Sequence, residues 1–183
     1  AGQLARRFNL PFRSGGSLCG SKLPDAQAAY ETTHTLNAAL LGGVNFMLHA
    51  CGWLEGGLVS SFEKFVLDAD QLGILHHLAR GVSITENDQA LDAIHEVGPG
   101  GHYLGCAHTQ ANFKEAFWRT EVLDYKPFET WEEEGAKDSM NLAAFRVEQM
   151  LANYQKPTLS SHVSEALDAY IANKKSSMPD SFL

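Results

Sequence analysis

Four residues stand where their side chains could meet a ligand: Arg13, His49, Trp53 and Glu55. His49 lies near the end of Val44-Asn45-Phe46-Met47-Leu48-His49-Ala50-Cys51, a mostly apolar run of strand length, and Gly52-Trp53-Leu54-Glu55-Gly56-Gly57 follows at once. An imidazole exchanges hydrogen bonds near neutral pH, an indole face attracts a cation, and a carboxylate supplies counter-charge. The duller alternative is a core histidine bonded to backbone and a tryptophan packed under the loop. Arg13 precedes Ser14-Gly15-Gly16-Ser17, and with the N–H groups of that loop it could meet an anion. A tight turn would need those glycines in any case.

The remaining candidates are weaker. His49 with Cys51, and His102 with Cys106, could be assembled on paper into a zinc site. Residues 49 and 51 share a face of a strand, but zinc pairs usually come as Cys-x₂₋₄-Cys or His-x₃₋₅-His, so no metal is expected. His76-His77 falls near the end of a helical run, where a cation complements the helix dipole. Gly98-Pro99-Gly100-Gly101-His102 reads equally as a hinge or lid and as a plain connector.

Two strands must position the candidates. The first is expected near Leu10–Arg13, where an apolar run opens into Ser14-Gly15-Gly16-Ser17, and the second over Asn45–Ala50. Each is followed by a helix. Pro24 suits a first helical turn, and Ala28, Ala29, Leu36, Ala39 and Leu40 then repeat at helical spacing until Gly42-Gly43. Ser60 stands three residues ahead of Glu63 as in a capping box, and Phe62, Phe65, Val66, Ala69, Leu72 and Leu75 form an apolar stripe that ends near Gly81. Strand, glycine-rich loop and helix, twice over, is the unit of an α/β fold with parallel strands, either a doubly wound sheet or a barrel. After Gly81 only helical signals continue: Thr85 to Val97, about His108 to Trp118, Ser139 to Tyr154, and Ser161 to Asn173. Phe128-Glu129-Thr130-Trp131-Glu132-Glu133-Glu134 reads as a solvated helical turn anchored by Trp131. The last helix carries Val163, Ala166, Leu167, Tyr170 and Ile171 on one face, expected to lie on the body.

Composition narrows the function classes. With 183 residues, 44% of them apolar, the chain can bury one sizeable core. A formal charge of −8 and a pI near 5.4 offer no basic surface to nucleic acid or anionic lipid, so neither is an expected partner. No apolar run approaches the roughly 20 residues that span a bilayer. The amino end lacks the order of a signal peptide, and three widely spaced cysteines suit reduced thiols, so a cytoplasmic location is expected. A start at Ala1 rather than methionine is what a processed product or a piece of something longer would show.

Five separated blocks sharpen the reading. Leu23-Pro24-Asp25-Ala26-Gln27-Ala28-Ala29-Tyr30-Glu31, Gly52-Trp53-Leu54-Glu55-Gly56-Gly57, Ser61-Phe62-Glu63-Lys64-Phe65-Val66-Leu67-Asp68, Glu96-Val97-Gly98-Pro99-Gly100-Gly101-His102 and Thr130-Trp131-Glu132 resemble, in this order, the C-terminal third of the trimethylamine methyltransferase family, which includes glycine betaine methyltransferases. The resemblance implies the C-terminal part of a TIM-type (β/α)8 barrel. Residues 1–81 would be its last strand-helix units and residues 82–183 a helical extension packing on it. It implies transfer of a methyl group from a tertiary or quaternary methylamine to the cobalt of a corrinoid (cobalamin) on a partner protein, with no cofactor or metal bound by this chain. His49 would be catalytic, orienting a substrate carboxylate. Trp53, Glu55 and Arg13 would bind substrate, Trp53 by cation–π attraction to a methylammonium group and Glu55 by charge. On this reading the chain is a fragment, inactive alone, and a homo-oligomer is expected to cover its broken edge. Two rival readings remain: a catalytically silent module that binds a corrinoid partner or itself, and an unrelated α/β hydrolase or aldolase barrel.

Overall fold

The computed structural model describes residues 1–178. After a short helix, α1 (Gly2–Arg7), two strands pair in parallel: β1 (Arg13–Gly15) and β2 (Phe46–Leu48), with Arg13 beside Phe46, Ser14 beside Met47 and Gly15 beside Leu48. A parallel pair needs a crossover, which helix α2 (Ala26–Leu41) supplies. The parallel arrangement is the expected one, but β1 is displaced from Leu10–Arg13. Pro11 has no N–H for a ladder, and Asn9 turns the chain at φ 54°. Phe12 already gives its N–H to the Asn45 side chain (2.8 Å) and accepts from the Asn45 N–H (2.8 Å), so the ladder begins one residue later. Strand β2 lies within the expected Asn45–Ala50 but stops at Leu48, because His49 adopts φ 53°.

Helix α2 begins at Asp25, whose carboxylate accepts from the Ala28 N–H (3.0 Å) and the Ser21 hydroxyl (2.9 Å). Pro24 therefore precedes the cap and does not enter the first turn. Ala28, Thr32, Leu36 and Ala39 form the buried face. After β2, where the sequence predicts only a loop, comes a small antiparallel hairpin: β3 (Trp53–Leu54) and β4 (Val59–Ser60), joined by a 3₁₀ turn over Glu55–Gly57. Glu55 and Gly56 donate their N–H groups to Ser21 O and Cys19 O (both 2.8 Å), and Leu54 packs with Cys19 and Ala28. The hairpin is thus fastened to the loop that follows β1.

Helix α3 (Phe62–Arg80) is capped by Ser61, not Ser60: the Ser61 hydroxyl accepts from the Lys64 N–H (3.2 Å). Its buried side also differs from the apolar stripe. Leu75 of the stripe is buried as expected, but Phe62 is 69% and Phe65 50% exposed, and Lys64 and Asp68 are buried instead. Beyond Gly81 the described residues are helical or irregular, as expected. The helices are α4 (Glu86–Gln89), α5 (Leu91–Val97), α6 (Ala107–Asn112), α7 (Phe128–Glu133), α8 (Ser139–Ala152) and α9 (Ser161–Ser177). The single helix expected over Thr85 to Val97 breaks at Ala90, which takes φ 51°, and that over His108 to Trp118 is confined to α6. Trp131 does anchor its turn, its indole N–H donating to Lys137 O (2.8 Å).

Asp70 of α3 accepts from the Thr120 hydroxyl and the Glu121 N–H, which holds that segment against α3, and Arg146 of α8 pairs with Glu121 at 2.9 Å. The Trp118 ring rests on Gly73, where a Cβ would come within 2.2 Å of it. Residues Ala1–Gln149 form one compact unit and those from Met150 on a second. The fold is mixed α/β; among the described residues there are two two-stranded sheets and no closed barrel. No helix among them is long and apolar enough to cross a membrane.

Candidate functional site

His49 occupies the first position after β2, on the side where the chain leaves the parallel pair. Its ring is exposed and meets Trp53 edge to face, with centroids 5.8 Å apart and planes at 78°. The left-handed backbone at His49 (φ 53°) makes this meeting possible, since it turns the chain back toward the hairpin. It also ends the strand alternation that would have placed Met47, His49 and Cys51 on one face. Glu55 follows on the same loop, exposed, and itself takes φ 50°. Such conformations cost a non-glycine residue on the order of 1 kcal/mol and persist only where the surrounding structure holds them. His49 and Trp53 are therefore brought together, and Glu55 shares their loop.

Arg13 is not brought to them by the backbone. It is exposed and opposes Phe46, at the far end of the three-residue ladder, roughly 10 Å along the strand from His49 at about 3.3 Å per residue. Gly15 lies beside Leu48 at the end of the ladder, and Gly16 follows it. Gly16 is required there. A Cβ would lie 2.8 Å from Leu36 Cδ2 and 3.0 Å from Ala50 Cα, so the loops after β1 and β2 touch at that point.

Beneath these loops lies a polar cluster that the sequence reading missed. Asp68 Oδ2 accepts from Lys64 Nζ (2.5 Å), the Ser17 hydroxyl (2.8 Å) and the Gly52 N–H (2.8 Å). Lys64 Nζ also donates to Thr32 Oγ1 (3.0 Å) and Ser17 O (3.3 Å). Lys64 is 2% and Asp68 5% exposed, and Ser17 and Thr32 are buried. Burying two charges is costly unless they are paired and their remaining donors and acceptors are filled, as here. A lysine four residues before an aspartate on a helix normally signals a solvated pair. The available hint was position: 64, 68 and 75 fall on one helical face.

Cys51 is half-buried under the same loop, and its thiol is pushed up to about 11, chiefly by burial and then by the Asp68 charge, with Lys64 opposing. His49 and Cys51 do not form part of a metal-ligand cluster; among the described residues no three His, Cys, Asp or Glu side chains gather as one. His102 and Cys106 are separated by the turn that opens α6, and Cys106 is engaged with the Thr109 hydroxyl (3.2 Å).

A sequence model of the trimethylamine methyltransferase family matches residues 1–179. The chain belongs to that family. It is 42% identical over 172 residues to the glycine betaine methyltransferase of Desulfitobacterium hafniense (strain Y51), covering 94% of this chain and 36% of that one. It is 32% identical to the proline betaine:corrinoid methyltransferase of Eubacterium limosum, covering 92% and 35%, and 29% identical to the trimethylamine methyltransferase of Methanosarcina barkeri (strain Fusaro / DSM 804), covering 92% and 34%. The chain spans about a third of the length of the curated relatives it matches. Within the trimethylamine methyltransferase family the His49–Trp53–Glu55 loop thus belongs to the matched third, together with the buried pair beneath it.

Proposed function

We propose that this chain supplies the substrate-orienting loop of an amine- or betaine:corrinoid methyltransferase of TIM-barrel type. The observation that carries the proposal is the edge-to-face pair of His49 and Trp53 on a loop that leaves a parallel strand, in a chain of this family. At that end of a strand, barrel enzymes place the residues that meet substrate. Trp53 offers a ring face to the methylated ammonium, Glu55 a negative charge near it, and His49 a hydrogen bond to a substrate carboxylate such as that of a betaine. Orientation is the main contribution, because a quaternary nitrogen departs as a neutral amine and needs no proton, whereas a tertiary amine must be activated first.

Membership of this family, which includes a relative named a proline betaine:corrinoid methyltransferase, supports placing the corrinoid on a separate protein. When docked, that protein would supply a cobalt(I) nucleophile for the methyl carbon, and the amine would leave with the C–N bonding pair. Arg13, set back along β1, is left with a role toward the substrate's anionic end or the partner. A chain that spans a third of its relatives is expected to be silent alone, with its open strand edges covered by a second copy of itself. The silent-module reading draws on the same span. A chimera separates the two: this chain replaces the matched portion of the glycine betaine relative, and glycine betaine demethylation is followed by the absorbance change on cob(I)alamin methylation. Turnover by the chimera and none by the chain alone is expected. A folded chimera that fails with glycine betaine, proline betaine and trimethylamine supports the silent module.

A further inference from the structure

We propose that Asp68, held in place by Lys64, is a positioning residue for the His49–Trp53 loop: the buried carboxylate fixes the peptide between those two rings. The inference rests on the substrate reading above only for the purpose of the loop. Gly52 lies three residues after His49 and one before Trp53. Its N–H donates to Asp68 Oδ2 (2.8 Å), and its carbonyl accepts from the Ser61 N–H at the start of α3 (3.0 Å). The loop is therefore pinned just ahead of Trp53, through both the N–H and the carbonyl of Gly52, by one helix and its cap. Gly52 takes φ 81°, and a Cβ there would lie 3.1 Å from Phe65 Cβ and 3.3 Å from Ser61 O, so only glycine lets the peptide approach α3 this closely.

The same Asp68 oxygen accepts the Ser17 hydroxyl from the loop after β1 (2.8 Å). One oxygen thus joins both loops that follow the parallel strands. Lys64 makes this arrangement possible. Its ammonium neutralises the carboxylate inside the fold and is itself anchored on Thr32 of α2 and on Ser17 O. A buried ion pair is not the cheapest way to join two helices, since apolar side chains of similar volume often stabilise as much. What the pair adds is direction: a carboxylate oxygen accepts several donors at once and fixes the angle of each.

The test is run on the full 183-residue chain by nuclear magnetic resonance. The His49 ring signal, identified by its loss in His49→Asn, carries a ring-current shift from Trp53, whose size is given by Trp53→Leu. In Asp68→Asn the His49 signal is expected to move toward its position in Trp53→Leu, and exchange of the Gly52 amide is expected to quicken by about tenfold or more. Asp70→Asn is the control, because Asp70 sits on the same helix and clamps Thr120 and Glu121 instead. It should lower the melting temperature and leave both loop signals unchanged. Ser17→Ala removes one donor without exposing a charge; it should shift the His49 signal in the same direction by less, and it serves if Asp68→Asn does not fold. Wild-type loop signals in Asp68→Asn, or in Ser17→Ala where Asp68→Asn is unfolded, overturn the proposal, as does equal loosening by Asp70→Asn. Methyl transfer by the chimera is read separately: a folded chimera that fails with all three amines, while the His49–Trp53 signature is intact, counts against the substrate reading and not against the positioning role.

Discussion

Replacing His49 separates presentation from packing. The ring is exposed and its contact is an edge-to-face meeting with Trp53 at 5.8 Å. Such pairs contribute about 0.5–1.5 kcal/mol, and an exposed one belongs near the lower end. His49→Ala keeps the left-handed backbone (φ 53°) and loses the ring, so it should cost less than about 1 kcal/mol, or roughly 2–4 °C in melting temperature for a chain of this size. His49→Gly also loses the ring but relieves about 1 kcal/mol of backbone strain, so it should melt at or above the alanine variant. Function should respond differently. If His49 orients the substrate, both variants of the betaine chimera should lose roughly 10²-fold in methyl transfer, which is about 2.7 kcal/mol in the barrier. Circular dichroism melts and cob(I)alamin methylation rates, measured on the same preparations, give the two numbers. A core histidine would show the reverse: about 1–3 kcal/mol lost through unsatisfied partners and an unchanged rate. That result would remove His49 from the site.

Three further outcomes are expected. Leu36→Ala, at a fully buried position where α2 meets Gly16, should cost about 2–5 kcal/mol, and Gly16→Ala about 1–3 kcal/mol by overpacking against Leu36 and the Ala50 backbone, both measured by denaturant unfolding. The Cys51 thiol, raised in the folded chain from 9.0 to about 11, favours folding below pH 9, and that contribution is lost as pH rises through 11; the melting temperature of Cys51→Ala should therefore fall less between pH 8 and 11 than that of wild type. Light scattering should give a mass above the 20.0 kDa of one chain, because β2 and its surroundings leave Phe46 61% and Leu10 59% exposed, and a clean monomer would contradict a self-covered edge.

The parallel strand-helix units were legible because glycine-rich loops interrupt apolar runs of strand length, and the structure pairs Arg13–Gly15 with Phe46–Leu48 in parallel. Boundaries shifted where single residues intervened: Pro11 and Phe12 delayed the first strand, and the left-handed turn at His49 shortened the second. His49 and Trp53 were readable as neighbours from strand end and spacing, and their rings do meet. Arg13 was placed with them because it opens the glycine loop after the first expected strand, but β1 starts at Arg13 and a three-residue ladder keeps its backbone apart from theirs. Lys64 and Asp68 escaped because charge on a helix predicts solvent, and only tertiary structure reveals that Ser17, Thr32 and Gly52 complete their hydrogen bonds. Ala90 gave no sign that it would break a helix, since alanine favours one; the left-handed conformation there comes from context.

Methyl transfer by the chimera is the most direct test of the proposed role. With this chain in place of the matched portion of the Desulfitobacterium glycine betaine enzyme, cob(I)alamin should be methylated at the expense of a methylated amine, and His49→Ala should abolish most of that transfer while the fold persists. A folded chimera that transfers no methyl group from any of the three amines, or one whose rate ignores His49, would contradict the assignment of this loop to the substrate.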